Sequence, residues 1–66
     1  MNLVVNGTAH EAPCETTVHE LLGLLGIRPE IVAVEVNGEL VLRSNLANTK
    51  LAEGDQVEFV TLVGGG

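Results

Sequence analysis

The dipeptide Asn-Gly occurs twice, at Asn6-Gly7 and Asn37-Gly38. A type I′ turn needs positive φ at both of its central positions, and Asn-Gly accepts this at less steric cost than other pairs. Turns of this kind match the twist of the antiparallel strands they join, so two tight hairpins are dictated locally. The first joins a strand from Met1 to Val5 with a return from Thr8 to about Glu11. The second joins a strand from Ile31 to Val36 with a short one from Glu39 to Leu42.

Between the hairpins the apolar period changes. In "TTVHELLGLLGIRP", Val18, Leu21, Leu22 and Leu25 fall at i, i+3, i+4 and i+7 and share one face of a helix. Thr17-x-x-Glu20 is a capping box, each side chain answering a backbone N–H that the first turn leaves unpaired. Gly26 suits the position just past the helix end, with Ile27 able to fold back on the helix and Pro29 forbidding its continuation. Residues 43 to 52, "RSNLANTKLA", lack a clean period and read as a loop with one helical turn. Glu53-Gly54-Asp55 is a turn, and Gln56 to Val63 is the final strand.

This order predicts an α+β fold, one helix laid across one face of a mixed sheet of about five strands. The first and last strands pair in parallel at the centre with a hairpin on either side, which is the β-grasp or ubiquitin-like arrangement. The domain runs over residues 1–63, and residues 64–66 form a flexible glycine tail. Alternation sorts the strands' side chains: Met1, Leu3 and Val5 share a face, as do Val57 and Phe59. With the apolar helix face they form the expected core, where full burial of one Leu or Phe contributes roughly 1.5 to 3 kcal/mol. The opposite face carries Asn2, Val4, Glu58, Val60 and Leu62. With a single helix layer, Val4, Val60 and Leu62 are exposed, an apolar patch that leads to the glycine end and marks a partner contact.

Nine acidic residues against three basic ones give a formal charge of −6 and a pI near 4.5. That balance disfavours nucleic acid and anionic membranes as partners and suits a basic protein surface. The single cysteine, Cys14, allows no internal disulfide, and neither a basic leader nor a long apolar run is seen, so a cytoplasmic protein is expected.

Catalytic constellations are not evident. His10 and His19 lie on different elements without a ligand spacing, and no second cysteine completes a metal site. They read as solvent-facing or half-buried structural histidines. Cys14, beside Glu15, reads as a semi-buried passive thiol. No metal and no bound cofactor is expected, and the protein does not read as an enzyme.

The end, Gly64-Gly65-Gly66, is an end without consequence, an artificial addition, or a tail that enters another protein. For the third there is a physical argument. Glycine has no Cβ, so an extended backbone can thread a channel too narrow for side chains, reaching on the order of 10 Å beyond Val63. The Gly66 carboxylate, activated as an acyl adenylate, becomes an electrophile for a sulfur or nitrogen nucleophile.

Four segments together resemble the ThiS family, the sulfur carriers of thiamine (thiazole) biosynthesis: "MNLVVNG", "TTVHELL" at 16–22, "VAVEVNGELVLR" at 32–43 and "LAEGDQVEFVTLVGGG" at 51–66. The resemblance spans nearly the whole sequence. It implies that a ThiF-like enzyme adenylates the Gly66 carboxylate with ATP and magnesium. Sulfur originating from cysteine through a desulfurase then makes a thiocarboxylate, from which a ThiG-like thiazole synthase takes the sulfur. Gly65 and Gly66 map onto the family's terminal pair, Gly64 lengthens the flexible end, and Val60 and Leu62 fall on the strand face such carriers use to dock. Leu42 stands where relatives often have proline and Leu46 where many have tryptophan, so packing of that loop is expected to differ. Related carriers for molybdopterin or cysteine synthesis share the fold and the Gly-Gly end. A ubiquitin-like interaction module and ligation of Gly66 to lysines are the other readings.

Overall fold

Both hairpin turns form as their residues dictate. Asn6 and Gly7 have φ of 48° and 81°, and Asn37 and Gly38 have 52° and 83°. The computed structural model describes residues 1–62. In it β1 (Asn2–Val5) pairs antiparallel with β2 (Thr8–Glu11), and β3 (Val32–Val36) with β4 (Glu39–Val41). The last strand, β5 (Gln56–Thr61), lies between the hairpins, parallel to β1 and antiparallel to β3. The sheet order is β2-β1-β5-β3-β4. One helix, α1 (Val18–Leu24), covers one face, giving the expected β-grasp arrangement.

The helix is short, and both ends are closed by local bonds. Glu20 N donates to Thr17 Oγ1 at 3.1 Å while Thr17 N donates to Glu20 Oε1 at 2.9 Å, completing the capping box. At the other end Ile27 N donates to Leu22 O and Gly26 N to Gly23 O, with Gly26 at φ 71°. These two bonds make a Schellman motif, and its left-handed residue is the glycine that can adopt it without strain.

Burial follows the two periods. Leu3 and Val5 of β1 and Val57 of β5 meet Val18, Leu21 and Leu22 of α1, with Met1, Leu25 and Phe59 half-buried around them. The core also takes in Ala12, Val32, Val34, Leu46 and Leu51. Leu46 and Leu51 come from the segment that lacks a period. Arg43–Asn48 is a six-residue 3-10 helix with Leu46 as its buried residue. Leu51 is positioned by bonds to the helix entry, Val18 N donating to Thr49 O and Leu51 N to Thr16 O, each at 2.9 Å.

Strand boundaries differ from the expectation: β1 starts at Asn2 rather than Met1, β5 ends at Thr61 with Leu62 outside it, and β3 and β4 are each one residue shorter. Pro29 does more than stop the helix: it opens a 3-10 turn over Pro29–Ile31, because its fixed φ suits the first position of a helical turn, so β3 starts at Val32. β4 ends at Val41, as Leu42 leads into the next 3-10 helix. Val63, placed in the last strand by its sequence, and the tail expected at 64–66 lie outside the described residues.

The asparagines of both turns also bind the central strand. Asn6 N donates to Val57 O at 2.9 Å, and Asn6 Oδ1 accepts from Phe59 N at 2.8 Å. Asn37 is held more completely. Its N donates to Gln56 O at 2.7 Å, its Oδ1 accepts from Gln56 N at 3.0 Å, and its Nδ2 donates to Asp55 Oδ1 at 3.0 Å.

A carboxylate at position 6 can still accept from Phe59 N. One at position 37 loses the donor to Asp55 and sets two carboxylates together. Asn37→Asp should therefore lower stability by roughly 1 to 2 kcal/mol, and Asn6→Asp by under about 1, in denaturant unfolding at neutral pH.

Glu53 Oε1 accepts from Asn2 N at 2.9 Å, joining the turn before β5 to the start of β1. That bond holds the Glu53 carboxyl below its ordinary range, with help from the Asn2 side chain and the N-terminal charge. A depressed folded-state pKa stabilises the protein above the unfolded pKa, and that contribution is lost as pH falls through the folded value. NMR titration should show the Glu53 carboxyl titrating below an ordinary glutamate, and Glu53→Gln should remove its share of the acid-dependent loss.

Candidate functional site

The sheet face away from α1 is set by alternation along β5. Val57 and Phe59 point to the core, leaving Gln56, Glu58 and Val60 on the other side. Register brings Ala33 opposite Val60, Glu35 opposite Glu58, and Leu40 opposite Glu35. This outer face has two parts. Leu40, Leu42, Val60 and Leu62 are 58 to 61% exposed and gather toward the end where β5 leaves the sheet. Val4 is 36% exposed and pairs with Gln56, at the start of β5. Glu58 stands between them.

Val60 and Leu62 thus share an apolar region with two leucines that alternation along β5 alone does not reveal. Beside it, at the β3–β4 edge of the sheet, a groove of about 310 Å³ is lined by Leu40, Leu42, Arg43 and Leu62 and, from the core side, by Val34 and Leu46. The signal for Leu40 and Leu42 is present in the second hairpin's alternation, but the β3–β5 register is needed to set them beside β5. Leu62 N donates to Ile31 O at 2.7 Å, and Arg43 Nη2 donates to the adjacent Glu30 O at 2.9 Å. The 3-10 turn of Pro29–Ile31 therefore anchors both the groove's cation and the backbone's exit from the sheet. Gly64, Gly65 and Gly66, expected to enter a partner and to carry the reactive carboxylate, lie outside the described residues.

The remaining candidates are separate from this region. His10 is half-buried on β2 and His19 is exposed on α1. Cys14 is exposed, not semi-buried as expected. It stands in a tight turn closed by Thr16, whose N and Oγ1 both donate to Pro13 O, with Glu15 at φ 68°. That turn lifts Cys14 clear of the core that Ala12 and Thr16 enter on either side. Among the described residues, no group of three His, Cys, Asp or Glu side chains has a geometry to hold a metal ion. Among the same residues, no helix is long and apolar enough to cross a membrane.

A fold of this topology is shared with known proteins. The ThiS family model matches residues 3–66. The chain belongs to the ThiS family. Its structure is similar to the crystal structure of the thiamine biosynthesis protein (ThiS) from Geobacter metallireducens, with 40% identity, full coverage of both proteins and a TM-score of 0.87. It is 32% identical over 66 residues to the sulfur carrier protein ThiS of Escherichia coli, covering all of both proteins. It is also 42% identical over its whole length to thiazole synthase of Paramagnetospirillum magneticum, where it spans 20% of that protein. A thiazole synthase of Magnetococcus marinus is 44% identical over the same span, again 20% of its length.

The outer-face residues of this ThiS-family protein add little to its own packing. Val60→Ser and Leu62→Ser should each change unfolding free energy by less than about 0.5 kcal/mol, whereas Leu22→Ala should cost about 2 to 5, measured by denaturant titration.

Proposed function

We propose that this ThiS-family protein is a sulfur carrier of thiamine biosynthesis, acting in the cytoplasm through a thiocarboxylate at Gly66. The observation that carries the reading is the end-to-end similarity to the Escherichia coli protein named sulfur carrier protein ThiS. The family match running through residue 66 supports including the glycine end.

In this reading the Gly66 carboxylate attacks the α-phosphorus of ATP on a ThiF-like enzyme, forming an acyl adenylate and releasing pyrophosphate, with magnesium held by that enzyme and the nucleotide. The adenylate makes the carbonyl carbon electrophilic. A persulfide sulfur supplied by a cysteine desulfurase system attacks it, forming the C–S bond as the C–O bond to AMP breaks. A thiol then reduces the S–S bond and leaves the thiocarboxylate. The carrier supplies the reacting group, and its partners supply the catalytic residues. Gly64 and Gly65 lack a Cβ, which suits a narrow channel leading to a buried site. Val60 and Leu62, with Val4 further along the same face, form the docking patch, since desolvating exposed apolar surface favours association.

A ThiG-like thiazole synthase is the proposed sulfur acceptor. The similarity of this domain to one fifth of two proteins named thiazole synthase supports that pairing.

With a cognate adenylating enzyme, ATP, magnesium and a sulfur source, intact-mass spectrometry should show one oxygen-to-sulfur exchange at Gly66. Deleting Gly66, or adding one residue after it, should abolish the exchange with the fold retained. Sulfur loading of the extended variant at the normal rate would refute the terminal carboxylate as the site. Val60→Asp and Leu62→Asp should slow loading with the fold intact. If partner binding survives loss of Gly65 and Gly66 and no sulfur is ever carried, the protein is an interaction module.

A further inference from the structure

We infer that Asn6-Gly7 is a site of spontaneous deamidation in the folded protein, and that Asn37-Gly38, the same dipeptide in the same kind of turn, is protected from it. The reaction needs only water. The Gly amide nitrogen attacks Cγ of the Asn carboxamide, a new C–N bond forms as the bond from Cγ to Nδ2 breaks, and ammonia leaves with the displaced proton. Water then opens the five-membered imide at either carbonyl, giving aspartate or isoaspartate. Glycine favours the first step because no Cβ shields its nitrogen. The three other asparagines, Asn2, Asn45 and Asn48, precede Leu3, Leu46 and Thr49.

Sequence alone makes the two sites equivalent, and solvent access does not separate Asn6-Gly7 from the exposed Gly38 side of the second turn. Both sites also share the left-handed backbone of the turn. What differs is the hold on the side chain that must rotate. Asn6 is held among the described residues by one side-chain bond, from Phe59 N. Asn37 is held by two, and the second ties the departing nitrogen to the Asp55 carboxylate. An extra hydrogen bond to a charged group makes the freed side chain roughly tenfold rarer. The products differ as well. Aspartate at position 6 keeps an acceptor for Phe59 N, whereas aspartate at position 37 would face Asp55. Isoaspartate at position 6 adds a methylene to the backbone inside a two-residue turn, which breaks the closure that sets Val5 opposite Thr8.

The test is a time course on the full-length protein at mildly alkaline pH, followed by peptide mapping in a mass spectrometer that resolves the two sites. A parallel sample in urea gives the unprotected rates. In urea, Asn6 and Asn37 should convert at similar rates. In the folded protein Asn6 should convert about tenfold faster than Asn37. Equal folded rates, a faster Asn37, or protection of both sites would each overturn the proposal.

Discussion

The fold depends on the parallel pairing of β1 with β5, two strands that lie at opposite ends of the sequence. Their register contains two Cα pairs, Val4 with Gln56 and Val5 with Val57. So short a ladder, closed across so long a loop, has a large entropic cost to offset. Its neighbours reinforce it. Val4 N donates to Asp55 O and Asn6 N to Val57 O, and the Asn6 side chain meets Phe59 N after the β1 backbone has turned away. A turn residue thus lengthens the central ladder beyond the strand itself. Once β5 is held there, Val57 is sealed into the core, and Val60 and Leu62 are placed on the outer face.

The core that this pairing organises is small, and Cys14 is the one cysteine. Stability rests on closing every end. The helix of Val18–Leu24 is far below the length at which a helix persists alone in water, so its capping box, its Schellman motif and its buried face all matter. The 3-10 helix of Arg43–Asn48 completes the enclosure by inserting Leu46 beside α1. Leu51 closes the gap near the helix entry, where Thr17 bridges to Lys50. Ion pairs add little. Lys50–Glu15 and Arg28–Glu30 are both exposed, and such pairs are worth at most about 1 kcal/mol.

The outer face follows a different logic. Glu35 and Glu58 sit directly opposite one another on β3 and β5, a like-charge pairing that destabilises the sheet. Beside them, four large aliphatic side chains remain in water. Neither feature serves the isolated domain. The proposed docking of a partner would cover both, and the groove ends where β5 leaves the sheet. Position of the exit and character of the surface are therefore set by the same β3–β5 register.

Local chemistry carries most of the architecture. Asn-Gly chooses its turn because few pairs accept two positive φ angles, Thr17 and Glu20 cap because they are three apart, and Val18, Leu21 and Leu22 are buried because 3.6 residues make a turn. These are short-range effects, legible in the order of residues alone. The placement of Val60 and Leu62 on the face away from the helix is legible for the same reason. Leu46 and Leu51 could not be read as core, because an irregular segment has no period and its buried residues are selected by the gap they fill. Leu40 and Leu42 could not be set beside Val60, nor Val4 set apart from it, until the register of β3, β5 and β1 was known. The contrast between Asn6 and Asn37 likewise arises only when Phe59, Asp55 and Gln56 are brought to them from distant sequence. Sequence settles what depends on neighbours along the backbone, and tertiary structure settles which distant groups become neighbours, because only the closing of long loops assigns those partners.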